Sequence, residues 1–539
     1  VAGYTTSSVS ESHSIGDITG NGNYVGGLVG ESYVAYSGSS SVTWLVVANS
    51  YSVGNIKGSN YVGGAVGLDS VYRSSSNTYG MTRNFKKIDT QGKVEGQNYV
   101  GGIIGKMDYR FYSSYSSGFS ANIDSVSYKG DVNGRNYVGG IAGYAYGSIS
   151  NAHSESDVTG MENYVGGLLG LLKFASSSTG TVGLKNSYAV GDVKGDIYVG
   201  GLVGKDSLHK VLIKSNTNGS TKALQRSVLK AYAKGYVEGK LYVGGLIGVQ
   251  NRTCDSARYV ADTYIYTTID SSYHDNGSIK GDSSYIGGLI GSTYGFVKHS
   301  HSNGNVRGFA YVGGLIGGGS KVNASYAIGS VNGGSIYVGG LVGYAQETID
   351  SSYHKGGDVT GGSYVGGLTG RGSVSNSYSE GNITGLDNVG GAAGLSSKIL
   401  NSYTKAAFVR GRNLVGGLVG SVSDSIKGSY FEGDSVTGIY QIGGLAGYAK
   451  SAVDSSYSTA NVKGDDNVGG LIGSAYGNVS NSYALGNVDG DVDNSSAGND
   501  NLGGLVGYQY SGSVTKSMSQ GNITGTTKLG GLVGRFDGT

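Results

Sequence analysis

Apolar and polar residues alternate along this chain in short bursts closed by glycine, and the bursts recur. A clean copy occupies residues 374–394, VSNSYSEGNITGLDNVGGAAG. Its first burst, [V/I]-x-x-S-Y, has period 2, as in Val453-Asp454-Ser455-Ser456-Tyr457, and predicts a strand. A second, shorter strand is predicted at Asn461-Val462-Lys463, closed by Gly464, and a third at Tyr-Val-Gly-Gly-Leu-Val-Gly, as in residues 24–30. Three strands and three turns in about 26 residues make one coil of a solenoid, each strand lying parallel to its copy one coil away at ~4.8 Å.

Seventeen Gly-Gly cores mark the repeat, the first glycine of each standing at Gly26, Gly63, Gly101, Gly139, Gly166, Gly200, Gly244, Gly287, Gly313, Gly339, Gly366, Gly390, Gly416, Gly443, Gly469, Gly503 and Gly530. A fixed short period means stacked units sharing a continuous core. The expected fold is therefore all-β, a parallel β-solenoid of 17 coils. A right-handed β-helix is favoured, because a left-handed hexapeptide coil would repeat at about 18 residues. Gly-Gly is expected to be a corner that needs positive φ or close backbone approach. The residue before the first-strand tyrosine is Ser or Ala in nearly every coil (Ser50, Ala152, Ser187, Ala231, Ser325, Ser377, Ser482), which fits an inward site with little room.

Spacing between cores divides the chain. Residues 1–285 carry long insertions, nearly all in the slot after the Gly-Gly corner, at 31–48, 68–87, 106–121, 171–181, 205–229 and 249–268. Residues 286–539 are mostly bare coils with one acidic insertion at 489–500. Val1-Ala2-Gly3-Tyr4 and the last residues both fall inside the repeat register, so the chain is expected to be a segment of a longer protein.

Composition adds limits. There is no proline among 539 residues, as suits a chain whose strands are nearly all flanked on both sides. A net charge of +2 offers no field for nucleic acid, the lone Cys254 cannot form an internal disulfide, and no apolar run reaches the ~18 residues of a membrane span.

The Gly-Leu-x-Gly corner, as in Gly27-Leu28-Val29-Gly30, Gly201-Leu202-Val203-Gly204 and Gly531-Leu532-Val533-Gly534, with Asn-Ser-Tyr-x-x-Gly-Asn/Asp-Val upstream, closely resembles the GLUG-motif repeats of bacterial surface adhesins and secreted repeat proteins. The resemblance runs over essentially the whole chain, with Ala65, Ala392, Ile103 and Ile141 in place of leucine. It implies export, an extracellular or cell-surface place and a scaffold role, and carries over no active-site residue.

Candidate chemistry falls in three places. One tyrosine column stands before Val/Ile-Gly-Gly: Tyr24, Tyr61, Tyr99, Tyr137, Tyr164, Tyr198, Tyr242, Tyr285, Tyr311, Tyr337 and Tyr364, giving way to Asn388, Leu414, Gln441, Asn467, Asn501 and Lys528. A second runs through Tyr51, Tyr188, Tyr232, Tyr273, Tyr326, Tyr353, Tyr378, Tyr403, Tyr430, Tyr457 and Tyr483, with His13, His153, His301 and Met518 substituting. Either the rings only brace the ladder, or the stripe contacts glycans or a second copy. The insertion at 205–230 is basic, with Lys205, Lys210, Lys214, Lys222, Arg226 and Lys230 against Asp206, and suits an acidic partner unless it is a solvated loop. Tyr109-Arg110-Phe111-Tyr112 is a second aromatic and basic patch. At 489–500, Asp489, Asp491, Asp493, Ser495 and Asp500 follow the oxygen spacing of a Ca²⁺ loop, although Asn494 stands where glycine is usual.

Zinc-protease, serine-hydrolase, phosphate-loop and Cys-x-x-Cys patterns are absent from the sequence. Asp131, Asp157 and Asp192 share one place in successive coils, either as turn residues or as carboxylates around a cation. The expectation is a non-enzymatic structural and adhesive protein, a rigid rod or filament partnered by itself or by surface glycans. A carbohydrate-binding or carbohydrate-active β-helix is the alternative.

Overall fold

The computed structural model describes residues 2–36, 41–73, 81–111, 119–175, 182–209, 224–253, 265–319, 321–490 and 501–537. They form a parallel β-solenoid, and among them there are strands and turns but no helix. Two compact units are present, Val1–Gly281 with Leu289–Ser300 and Asp282–Gly288 with His301–Thr539.

A coil of the second unit shows the plan. Its strands are Val322–Asn323, Tyr326–Ile328, Val331–Gly333, Ile336–Gly339 and Val342–Ala345. Each lies parallel to its counterpart in the next coil, with Val322 opposite Ile349, Tyr326 opposite Tyr353, Val331 opposite Val359, Val338 opposite Val365 and Val342 opposite Thr369. The alternate side chains point inward, and Val331, Val338, Leu341, Val342 and Ile349 are buried.

Five strands stand where the sequence pattern predicts three, because the first and third are each divided. The first breaks at a residue in the left-handed region, Ala324 with φ 46° and Ser351 with φ 51° in adjacent coils. The third breaks at Gly340-Leu341.

The Gly-Gly corner itself is a close approach. An added Cβ on Gly340 would lie 2.1 Å from the Gly367 carbonyl oxygen and 2.5 Å from the His354 ring. Positive φ falls instead on the residue before Val/Ile/Leu-Gly-Gly, between 51° at Lys528 and 64° at Tyr164. A left-handed conformation costs an L-residue about 1–2 kcal/mol, and asparagine bears it best. That is a reason for Asn388 and Asn467 to replace tyrosine there.

The small buried residue before the first-strand tyrosine has a role beyond its size. Ser377 Oγ–H donates to the Ser375 carbonyl at 2.6 Å, and its oxygen accepts the Ser352 N–H at 3.0 Å. Ser352, Ser402, Ser429 and Ser456 repeat both bonds. The left-handed turn just before each serine takes the chain out of ladder geometry, and the hydroxyl restores the inter-coil bond. A second ladder runs through the turn after the tyrosine, where Asp157 Oδ1 accepts the Asp192 N–H at 2.8 Å and Asp192 Oδ1 accepts the Tyr236 N–H at 2.8 Å. Asn305 and Asp358 do the same for Ser330 and Asn382. These carboxylates are turn residues bonded to backbone.

In the first unit the described parts of the insertions continue the coil as paired strands. Val29–Tyr36, Val66–Arg73 and Ile104–Phe111 run side by side, as do Val42–Val53, Met81–Gln91 and Phe119–Lys129. Their inward side chains, including Val34, Val71, Val47, Phe85 and Ile123, extend the core.

Candidate functional site

Stacking organises both tyrosine columns. In the first unit the rings of Tyr24, Tyr61, Tyr99, Tyr137, Tyr164, Tyr198 and Tyr242 follow one another with centroids 4.5 to 5.4 Å apart and planes within 19°. In the second, Tyr285, Tyr311, Tyr337 and Tyr364 continue at 4.7 to 5.1 Å, with a 44° tilt between Tyr311 and Tyr337. The other column is longest in the second unit, where His301, Tyr326, Tyr353, Tyr378, Tyr403, Tyr430, Tyr457 and Tyr483 stack at 4.7 to 5.0 Å. In the first unit it is interrupted at Asp89 and Ser127, where the Ser127 hydroxyl donates to Asp89 at 2.7 Å.

This geometry decides what the stripe can bind. A ring between two neighbours at about 5 Å has both faces covered, so a sugar cannot stack on it, and only ring edges and hydroxyls are presented. Burial and the neighbouring rings of Tyr137 and Tyr198 push the Tyr164 phenol up to about 12, and burial raises Tyr378 as well. Each column thus presents ring edges and hydroxyls at coil spacing.

The residue after Gly-Leu-x-Gly packs against the first column. Lys106 Nζ lies 4.6 Å from the Tyr99 centroid and 5.6 Å from Tyr61, and Lys205 Nζ lies 4.6 Å from Tyr198 and 5.6 Å from Tyr164. Such contacts contribute about 0.5–2 kcal/mol each. Burial lowers the Lys205 pKa.

The basic insertion is therefore not one exposed patch. Lys205 lies over aromatic rings, and Arg226 is buried with its guanidinium paired to buried Asp206. The physical reason is strand phase: both sit in strands, Val203–His209 and Leu224–Leu229, where Asp206 and Arg226 fall on the inward side. Lys230 is at the left-handed turn with φ 51°. Lys210, Lys214 and Lys222 lie outside the described residues.

A matching pair occupies the same phase earlier in the unit. Buried Asp69 pairs with buried Arg83, whose guanidinium also donates to Ser32 at 2.9 Å, and the Tyr109 hydroxyl donates to Asp69 at 2.8 Å. Burial opposes the Arg83 charge, but Asp69 outweighs it and raises the pKa. Asp206 is further bonded by Gln250 at 2.9 Å, and Thr293 donates to Gln250 at 2.8 Å. Sequence reasoning missed this polar file. Its signal was a carboxylate two residues after the corner, at the phase where Met107, Ala145 and Leu172 stand in other coils.

Of the proposed calcium ligands, Asp489 lies in strand Val488–Asp489 and pairs with Lys463 at 3.1 Å. Asp491, Asp493, Ser495 and Asp500 lie outside the described residues, as does Tyr112 of the other aromatic patch. No cluster of three or more metal-ligating side chains occurs among the described residues.

No curated protein and no solved structure matched this chain. Its sequence matches the family described as the GLUG motif at residues 134–159 and at residues 498–524. The first match spans one coil from the end of strand Val132–Gly134 through the Gly139-Gly140 corner to Thr159, so the motif and the structural repeat coincide. The chain carries the GLUG motif in these coils, and the Gly-Leu-x-Gly corner of that motif is the close-packed turn on which its β-solenoid is built.

Proposed function

We propose that this chain is a non-enzymatic structural and adhesive protein of the bacterial cell surface or extracellular space, whose coils form a stiff scaffold presenting repetitive surfaces. The observation that supports this most is the use of the repeated positions. Serine, Asx and tyrosine columns all bond to the next coil, and the outer columns present one group at one spacing over many coils. Such a surface suits a partner that is itself repetitive. A second copy of the chain or a surface glycan has that property, and the covered ring faces favour recognition through ring edges and hydroxyls.

The test is attachment. Beads carrying the folded chain should adhere to each other or to glycan-coated surfaces above beads carrying an unrelated β-solenoid, and a surface-labelling reagent should reach the protein on intact cells. Adhesion no greater than that of the control would overturn the adhesive reading, and labelling only after lysis would overturn the location.

A further inference from the structure

The face that carries the long tyrosine column in the second unit also carries an ordered row of charge. Two residues after each tyrosine, on the same side of the strand, stand Lys355, Glu380, Lys405 and Glu432 in four consecutive coils. The parallel register sets Glu380 beside Lys405 and Lys405 beside Glu432. Lys405 Nζ lies 3.1 Å from Glu432, the Tyr457 hydroxyl donates to Glu432 at 2.9 Å, and Lys355 and Lys405 lie 5.4 and 5.7 Å from the rings of Tyr353 and Tyr403. None of the four is buried. Exposed pairs of this kind contribute under about 1 kcal/mol within one chain, so they are weak constraints on the fold.

Strict alternation of sign along one line is self-complementary. If a second copy is turned end for end about a two-fold axis between the coils of Tyr378 and Tyr403, Lys355 meets Glu432 and Glu380 meets Lys405, each pair occurring twice. The flanking coils then place Ile328 opposite Thr459, with no charge opposed to its like. Both tyrosine rows have the same spacing, so their edges mesh coil by coil. A parallel copy in register would set like on like, which is repulsive. The corresponding position in the first unit reads Lys129, Glu155, Val190, Lys234 and Asp275, where Val190 breaks the alternation.

We infer that this face of the second unit binds the same face of a second copy of the chain, antiparallel and about a two-fold axis. The inference deepens the adhesive reading by naming a partner, and rests on it only for the purpose that pairing would serve. Because the interaction is between exposed charges, it weakens as salt rises.

The experiment uses two variants of the whole chain, one with an acidic face (Lys355→Glu with Lys405→Glu) and one with a basic face (Glu380→Lys with Glu432→Lys). Sedimentation is measured for the wild type, for each variant alone and for their equimolar mixture, at low and high salt. The wild type should self-associate at low salt, each variant alone at least about tenfold more weakly, and the mixture should recover wild-type association. A monomeric wild type, variants that associate as the wild type does, or a mixture that does not recover would overturn the proposal. Stacked like charges could unfold a variant, so Lys355→Gln, Glu380→Gln, Lys405→Gln and Glu432→Gln are also combined; that folded chain should lose association, and retained association would equally overturn it. Adhesion to glycan-coated beads, measured alongside, separates failure of this pairing from failure of the adhesive reading.

Discussion

Replacing Ser377 by alanine separates two explanations for the serine column, since alanine fits the space and removes only the hydroxyl. In the structure Ser377 is 2% exposed, donates to the Ser375 carbonyl and accepts the Ser352 N–H. The variant leaves the buried Ser352 N–H without its acceptor, while the Ser375 carbonyl keeps the Ser351 N–H at 3.2 Å, and an unsatisfied buried group costs about 1–3 kcal/mol. Part of the loss is recovered by local relaxation, so a destabilisation of about 2 kcal/mol is expected. For a unit of roughly 250 residues unfolding cooperatively, this lowers the midpoint on the order of 4 °C. The reciprocal substitution is available in the first unit, where Ala231 offers no hydroxyl to the Ser187 N–H, and Ala231→Ser is expected to stabilise by about 1 kcal/mol. Differential scanning calorimetry of the two variants is the assay. A Ser377→Ala midpoint within 1 °C of the wild type, together with a neutral or harmful Ala231→Ser, would show that size alone selects serine there (~0.5 kcal/mol resolution on the same scale).

Four further outcomes are expected. Burial lowers the pKa of His274 and of His354 despite their bonds to the Gly235 and Gly329 carbonyls; the unfolded chain then binds more protons below its ordinary pKa of about 6.5, so stability is full above that pH and falls below it by up to ~1.4 kcal/mol per unit and per histidine. Midpoints measured from pH 7.5 to 5 should fall less steeply in His354→Ser, and identical profiles would contradict this. Gly340→Ala should cost about 3 kcal/mol in chemical denaturation because its Cβ meets backbone, and a neutral result would mean that the corner can widen. Asp69→Leu should cost about 3–5 kcal/mol by stranding Arg83, whereas Asp69→Leu with Arg83→Met should return to near wild type, and equal losses would show that the pair is not coupled. Calcium titrated calorimetrically should give saturable heat at ~1 mM that is lost in Asp491→Ala with Asp493→Ala, and no heat would return 489–500 to an ordinary acidic insertion.

The repeat, the parallel stacking and the inward phase of Val/Ile and Leu were legible in the sequence by itself, because a one-dimensional stack repeats each local environment and the residue classes repeat with it. Gly339-Gly340 marked the corner for the same reason: a Cβ on Gly340, as on Gly314, Gly367 and Gly391 of neighbouring coils, would run into the backbone of the next corner, so the glycine signal repeats. What only the tertiary structure decided concerns relations between coils. The positive φ before the Gly-Gly corner was invisible, since tyrosine does not advertise a left-handed backbone, and Leu414 and Gln441 take the same φ without a ring. Ser377 read as a small residue until the Ser352 N–H, 25 positions away, was seen to need its oxygen. Arg226 and Asp206 read as loop charges because insertion lengths vary, and only pairing with the neighbouring coils shows that the described ends of the insertion are two strands, Val203–His209 and Leu224–Leu229, whose phase turns both side chains inward. Local pattern determines which element forms, whereas the register between elements determines which side chains meet.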